Sequence, residues 1–191
     1  SRHGYSREYF SPIEDILMIN CSSSFSGRQG LTIGHGDRIA IYSCSFTDTG
    51  GGINGGVSPT AGVDIEPNLR GELNIVKSVL FSGCEFSRNG GAGITIDSRV
   101  VLVKIENSSS RDNGSYGINS SAEVTKVSNC SISNNGLGFS SRGGISSSPA
   151  TVPRNGYNSL LVEGCVFEDS NYVDIFTMEG VNLLVKDTIH Y

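Results

Sequence analysis

No stretch of this 191-residue chain repeats its apolar residues at helical spacing. That absence excludes ankyrin-type and other helical repeats and disfavours βαβ units and leucine-rich repeats. No apolar run reaches membrane-spanning length, and the opening Ser1-Arg2-His3-Gly4 does not read as a signal peptide. Positive charge is short: 14 Lys and Arg against 19 Asp and Glu give a net charge of −5, which argues against nucleic acid or an anionic membrane as a partner. Cysteines number five, so at least one thiol stays unpaired in any disulfide scheme, and no Cys/His spacing suits a metal. The clusters Gly50-Gly51-Gly52 and Gly90-Gly91 precede strands rather than helices, which removes phosphate-loop readings. Serine is too common for a Ser/His/Asp triad to stand out.

What the chain does have is a repeat. Cys21, Cys44, Cys84, Cys130 and Cys165 sit in one local frame, read as MINCSS, IYSCSF, FSGCEF, VSNCSI and VEGCVF, and a further copy, IENSSS, carries Ser108 in the cysteine position. Successive spacings are 23, 40, 24, 22 and 35 residues. The basic period is therefore about 23, and the long gaps hold inserted loops.

The clearest unit runs from Ser78 to Arg99. Val79, Phe81, Cys84 and Phe86 alternate as strands do, and a turn is expected at Asn89-Gly90-Gly91, where positive φ costs little. Gly93-Ile94-Thr95-Ile96-Asp97 then alternates again, with the isoleucines inward. The same phrase is read at Gly30-Leu31-Thr32-Ile33, Gly62-Val63-Asp64-Ile65, Gly117-Ile118-Asn119-Ser120 and Gly138-Phe139-Ser140-Ser141, and more loosely at Tyr172-Val173-Asp174-Ile175.

Short strands, Asn/Gly turns and a column of small residues at this period predict an all-β fold: a right-handed parallel β-helix, a single-stranded solenoid of about six to seven coils of ~23 residues. Residues 1–12 are expected to be an N-terminal extension or cap and 13–191 one β-helix domain. The cysteines are expected to pack as small buried hydrophobes in an internal ladder, with Asn89, Asn113 and Asn135 sharing another column. The chain stops in Leu183-Leu184-Val185, the opening strand of a further coil. Open solenoid ends expose core and strand edges, so a longer parent chain or a covering partner subunit is expected.

The Gly-x-x-Ile strands carry two outward columns. The first reads Thr32, Asp64, Thr95, Asn119, Ser140 and Asp174; the second reads Gly34, Glu66, Asp97, Ser121, Arg142 and Phe176. Asp64 and Glu66 fall about 6–7 Å apart along one strand, with Glu66 stacked against Asp97. Stacked like charges destabilise a sheet and push a carboxylate pKa upward. A raised carboxylic acid beside an ionised carboxylate suits glycoside hydrolysis; alternatively, three carboxylates could hold Ca²⁺, neutralise a uronate and assist β-elimination. A merely solvated acidic face is the bland alternative.

Extra residues are read at Gly50–Ala61, Asn68–Asn74 and Gly143–Asn158, and two of these insertions flank the Asp64/Glu66 strand. Arg28 and Gln29 are expected one coil below the first insertion as substrate ligands, unless Arg28 merely pairs with Asp64 or Asp48. His35, Asn119 and Arg142 complete the substrate-binding candidates, although a lone turn histidine such as His35 is commonly incidental.

Gly27-Arg28-Gln29-Gly30, Asn20-Cys21, Ser43-Cys44-Ser45-Phe46, Ala61-Gly62-Val63-Asp64-Ile65-Glu66-Pro67-Asn68 and Asn89-Gly90-Gly91-Ala92-Gly93-Ile94 resemble the right-handed β-helix proteins of the pectate-lyase-like superfamily, including phage tailspike-type polysaccharide depolymerases. The likeness covers the chain from about residue 13 and is specific over 27–97. It implies binding or cleavage of a complex or acidic polysaccharide, an extracellular or virion setting and, by analogy with tailspikes, a homotrimer. The polygalacturonase motif order is absent, since Gly34-His35-Gly36 precedes the carboxylates; the lyase calcium and arginine pattern is not recognisable, and Val63-Asp64-Ile65-Glu66-Pro67 only faintly echoes the mannuronan epimerase motif. The expectation is a polysaccharide-degrading enzyme, hydrolase favoured over lyase, with Asp64, Glu66 and Asp97 catalytic. It needs no cofactor, save Ca²⁺ if it is a lyase. The rival is a non-catalytic carbohydrate-binding or adhesion segment of a phage tail or cell-surface protein.

Overall fold

The computed structural model describes residues 13–50, 56–67, 75–137, 143–149, 158–168 and 173–191. Among these residues there is no helix, and every strand pairs in parallel with the strand three places on in sequence. Coil one carries β1 (Leu17–Ile19), β2 (Ser22–Ser24) and β3 (Leu31–Ile33); coil two carries β4 (Ile39–Tyr42), β5 (Ser45–Thr47) and β6 (Val63–Ile65). Coil three holds β7 (Val76–Ser82), β8 (Glu85–Ser87) and β9 (Ile94–Ile96), and coil four holds β10 (Val100–Glu106), β11 (Ser109–Arg111) and β12 (Ile118–Ser120). Coil five follows with β13 (Val124–Ser128), β14 (Ser131–Ser133) and β15 (Ile145–Ser147), and coil six with β16 (Asn158–Glu163), β17 (Val166–Glu168) and β18 (Ile175–Thr177). β19 (Val181–Lys186) and β20 (Ile189–His190) begin a seventh. Three parallel sheets result: β1-β4-β7-β10-β13-β16-β19, β2-β5-β8-β11-β14-β17-β20 and β3-β6-β9-β12-β15-β18.

Each corner between the first and second sheets is made by one residue in the left-handed region: Asn20, Ser43, Gly83, Asn107, Asn129, Gly164 and Asp187, with φ between 48° and 66°. Asn, Asp and Gly tolerate that conformation best. The next residue is the cysteine column. Side chains of Cys21, Cys44, Cys84, Ser108, Cys130, Cys165 and Thr188 each donate to the carbonyl two residues back, at 2.7–3.6 Å. A hydroxyl replaces a thiol at Ser108 and Thr188 because the same acceptor serves both. Four of the thiols are buried and Cys21 is exposed, and none is in a disulfide.

The second corner differs from the expected turn. Positive φ falls on Asp48, Arg88, Asp112 and Asn134, one position earlier than Asn89 and its counterparts. Asn89, Asn113 and Asn135 instead turn inward and are almost fully buried. Nδ2 of Asn89 donates to Oδ1 of Asn113 at 2.9 Å, and Nδ2 of Asn113 donates to Oδ1 of Asn135 at 2.8 Å. The same Oδ1 atoms accept backbone N–H groups of the coil below, so buried amides satisfy one another along the solenoid.

A glycine column sets the start of the third sheet. A Cβ on Gly30 would lie 2.6 Å from the carbonyl of Gly62, one on Gly62 2.7 Å from that of Gly93, and one on Gly93 2.5 Å from that of Gly117. Gly117 and Gly144 continue the column, and Asp174 occupies its sixth position. The fifth-coil strand is therefore Ile145–Ser147, with Ile145 beside Ile118, and not Phe139–Ser141. Gly138 imitates the motif, but Gly144 is the glycine that meets its neighbours. Residues 138–142 lie outside the described residues. In coil six Ile175 pairs with Ile145, which puts Phe176 rather than Asp174 in the first outward column. Between the sheets runs a narrow apolar file in which Phe46 stacks on Phe86 at 5.9 Å and Phe81 meets Phe86 edge-on.

Candidate active site

On the third sheet the first outward column reads Thr32, Asp64, Thr95, Asn119, Ser146 and Phe176. The next position continues the ladder by backbone bonds: the N–H groups of Glu66, Asp97, Ser121, Ser148 and Met178 donate to Ile33, Ile65, Ile96, Ser120 and Ser147. Glu66 and Asp97 are thus neighbours on adjacent coils. Pleat alternation sends Asp64 outward while Val63 and Ile65 enter the core.

Outward does not mean exposed here. Asp64 is only 3% accessible, whereas more than half of the Glu66 side chain is open to solvent. The two carboxylates line a groove cavity of about 380 Å³ with Asp97, Arg28, Thr95, Asn119 and Ser121. Ser58 and Pro59 form its wall. They belong to the insertion between β5 and β6, which is tethered to coil one where Val57 N–H donates to the Gly27 carbonyl at 2.9 Å. Arg28 fixes the same loop, its Nε donating to the Ser58 carbonyl at 3.2 Å.

Burial pushes the Asp64 carboxyl above the usual carboxylate range. A hydrogen bond from Gln29 Nε2 to Oδ2, 2.8 Å long, opposes that rise; the charges of Glu66 and Asp97 add to it and Arg28 subtracts. Burial wins because hydrogen bonds from one amide cannot replace the lost hydration of a carboxylate. Asp97 Oδ1 accepts the N–H of Ser98, which holds its side chain at the coil corner.

The candidate residues separate into groups. Asp64, Glu66, Asp97, Arg28 and Asn119 line one cavity. Gln29 is held against Asp64, its Nε2 donating to that carboxylate, and is not among the residues lining the cavity. Arg28 lies 3.9 Å from Glu66, not against Asp64, and Asp48 is taken by Arg88 at 2.8 Å. His35 does not join the groove: it borders an apolar cavity of about 490 Å³ at the open face of coil one, with Ile16, Met18, Leu31 and Ile39, and its Nδ1 accepts the Ile75 N–H at 3.4 Å. The corner after Gly34 turns the chain back toward β4, which carries His35 past the groove. Arg142 lies outside the described residues, and Ser148 holds the column position read for it. The outward columns already hold Thr95 and Ser121, though neither is named from sequence as a site residue; Ser58 and Pro59 are not singled out there, and the Gly50–Ala61 insertion is the available signal for them. Among the described residues no three His, Cys, Asp or Glu side chains converge as a metal-holding group.

Stacked parallel sheets around one apolar file, with an inserted loop walling a polar groove, define a β-solenoid protein with a surface groove. The family model for the right handed beta helix region matches residues 9–155, and the chain belongs to that family. Among solved structures, the A-module of the mannuronan C-5 epimerase AlgE4 of Azotobacter vinelandii is similar, with a TM-score of 0.54 at 10% identity. The match covers 93% of this chain and 54% of that one, so the chain spans about half that module's length. At that identity the likeness is one of fold. No curated protein matches the chain in sequence.

Proposed function

We propose that the groove cleaves glycosidic bonds of a polysaccharide by hydrolysis, with Asp64 as general acid. The observation that carries this reading is an enclosed carboxyl, raised by burial, lining an open polar cavity beside two further carboxylates. Such a division of environments between carboxyl groups matches the roles that glycoside hydrolysis needs. The structural neighbour's named action on mannuronan supports a polysaccharide as the ligand class.

In the proposed step Asp64 gives its proton to the bridging oxygen as the C1–O bond breaks, the bonding pair staying with the leaving sugar. Water adds to C1 and yields its proton to the carboxylate of Glu66 or Asp97. Gln29 holds Asp64 Oδ2, so Oδ1 is the oxygen left to carry the proton. Arg28 hydrogen-bonds the loop wall and lies 3.9 Å from Glu66, within ion-pair reach of that carboxylate.

The test is incubation with capsular and plant polysaccharides, following reducing ends together with absorbance from unsaturated uronate. Reducing ends without that absorbance are expected. Both signals together make the protein a lyase, and binding without either makes the groove a recognition site of the adhesion type.

A further inference from the structure

The groove continues past the carboxylates. A second cavity of about 370 Å³ adjoins the first and shares Ser58, Pro59, Thr95 and Asn119 with it. Each lies near the lower end of the size range of small-ligand sites, about 300–1,000 Å³. Their chemistry differs. Among its described residues the first holds Asp64, Glu66 and Asp97 against one cation, Arg28, which hydrogen-bonds the Ser58 carbonyl and lies 3.9 Å from Glu66. The second is lined by Thr60, Ser115, Asn119 and glycines 56, 90 and 91, with no charged side chain among its described residues. Its floor is bare backbone at the glycines. The Thr60 hydroxyl donates to the Pro59 carbonyl at 2.7 Å and so faces a ligand as an acceptor.

We infer that this groove takes an uncharged polysaccharide, one sugar seated by its hydroxyls in the neutral cavity while the neighbouring linkage lies at Asp64. The inference rests on the reading of the groove as a glycan-cleaving site. A polymer with a carboxylate on every sugar sets negative charge against Glu66 and Asp97, beside the acid Asp64, in one half. It meets only hydroxyls, an amide and backbone in the other. Like charges brought together in a partly desolvated groove work against binding, and no cation among the described lining residues of the second cavity offsets them. Sugar hydroxyls suit both halves: they donate to the carboxylates and to Thr60 Oγ1, and the Asn119 amide can both donate to them and accept from them.

The test uses matched polymers. Polygalacturonate, polymannuronate and hyaluronan are each compared with their carboxyl-reduced forms, in which linkage and ring stereochemistry are kept, and dextran, galactan, β-glucan and chitooligosaccharides serve as further neutral probes. Retention in affinity electrophoresis and release of reducing ends are measured separately. Expected is retention of neutral polymers, with the reduced member of a retained pair favoured by about tenfold or more, and Asn119→Ala raising KM by about that factor with kcat little changed. Neutral polymers retained but not cut uphold this inference and remove the cleavage reading. Preferential retention of the uronates overturns the inference and leaves cleavage standing. Retention of none of the probes overturns it as well.

Discussion

Asp64 is pulled in opposite directions by its surroundings. Enclosure favours its neutral form, Gln29 favours its ionised form, and enclosure prevails. The resulting rise links function to pH with a definite sign. If Asp64 acts as the acid, activity falls as pH rises through its pKa, so the alkaline limb of the rate profile reports that group. Replacing Gln29 by Leu removes the strongest opposing contact, and the alkaline limb is expected to move to higher pH; Glu66→Gln removes a raising charge, and the limb of its residual activity is expected to move lower. A pH–kcat/KM series on the two variants checks both directions. Stability carries the same sign. A carboxyl whose folded pKa lies above its unfolded 3.8 penalises the folded state once pH passes through both values, and costs nothing below them. Asp64→Asn is therefore expected to gain urea stability relative to the parent at pH 8 and to lose that advantage as pH falls toward 4. The stacking of Glu66 on Asp97 was legible in the sequence because the coil register alone dictates it. The Gln29–Asp64 bond was not, since it depends on a side-chain rotamer at a loop between coils.

At the scale of the strand and its corners, backbone geometry outweighs surface charge. The outer surface carries ion pairs such as Arg88–Asp48 and Arg111–Glu85, at 2.8 and 2.7 Å, but half-exposed pairs of this kind contribute about 0–1 kcal/mol each. In the middle coils the glycine column leaves no room for a side chain. A Cβ on Gly93 would lie 2.4 Å from Ser110 Oγ and 2.5 Å from the Gly117 carbonyl, while one on Gly27 meets nothing within 4 Å. Gly93→Ala is accordingly expected to cost about 3 kcal/mol or more, or to prevent folding, and Gly27→Ala to stay within about 0.5 kcal/mol; urea midpoints of the two variants decide. This column also explains the misread fifth coil. Gly138-Phe139 and Gly144-Ile145 look alike as text; a Cβ on Gly144 would lie 2.2 Å from the Asp174 carbonyl, and that contact, invisible in the sequence, marks Gly144 as the column member. Asn89 was likewise placed in the right column with the wrong duty, because Asn suits both a positive-φ corner and an internal amide ladder; Arg88 takes the corner.

For the whole molecule, a solenoid distributes its stability along one axis, each coil gaining only from its neighbours. Core-facing side chains at both ends of the described solenoid are partly open, as at Met18 and again at Leu183 and Val185, whereas Phe81, Ile105 and Val127 in the middle coils are enclosed. Amide exchange is expected to be slowest for β7, β10 and β13 and fastest for β1 and β19, measurable by peptide-resolved mass spectrometry. The architecture was the most legible level of all. Six complete coils and the start of a seventh follow from one column of small residues, since stacking forces a repeat to declare itself in sequence. The groove was partly legible: register located its floor, but its wall comes from an insertion whose conformation no repeat dictates. The central claim is that this floor and wall together form a site for glycan cleavage. The most direct measurement is reducing-end release by the parent and by the combined Asp64→Asn, Glu66→Gln and Asp97→Asn variant, with circular dichroism confirming the fold of both. Release by the parent and its loss, by at least about 100-fold, in the folded variant is the predicted result. Undiminished release by the variant contradicts the account.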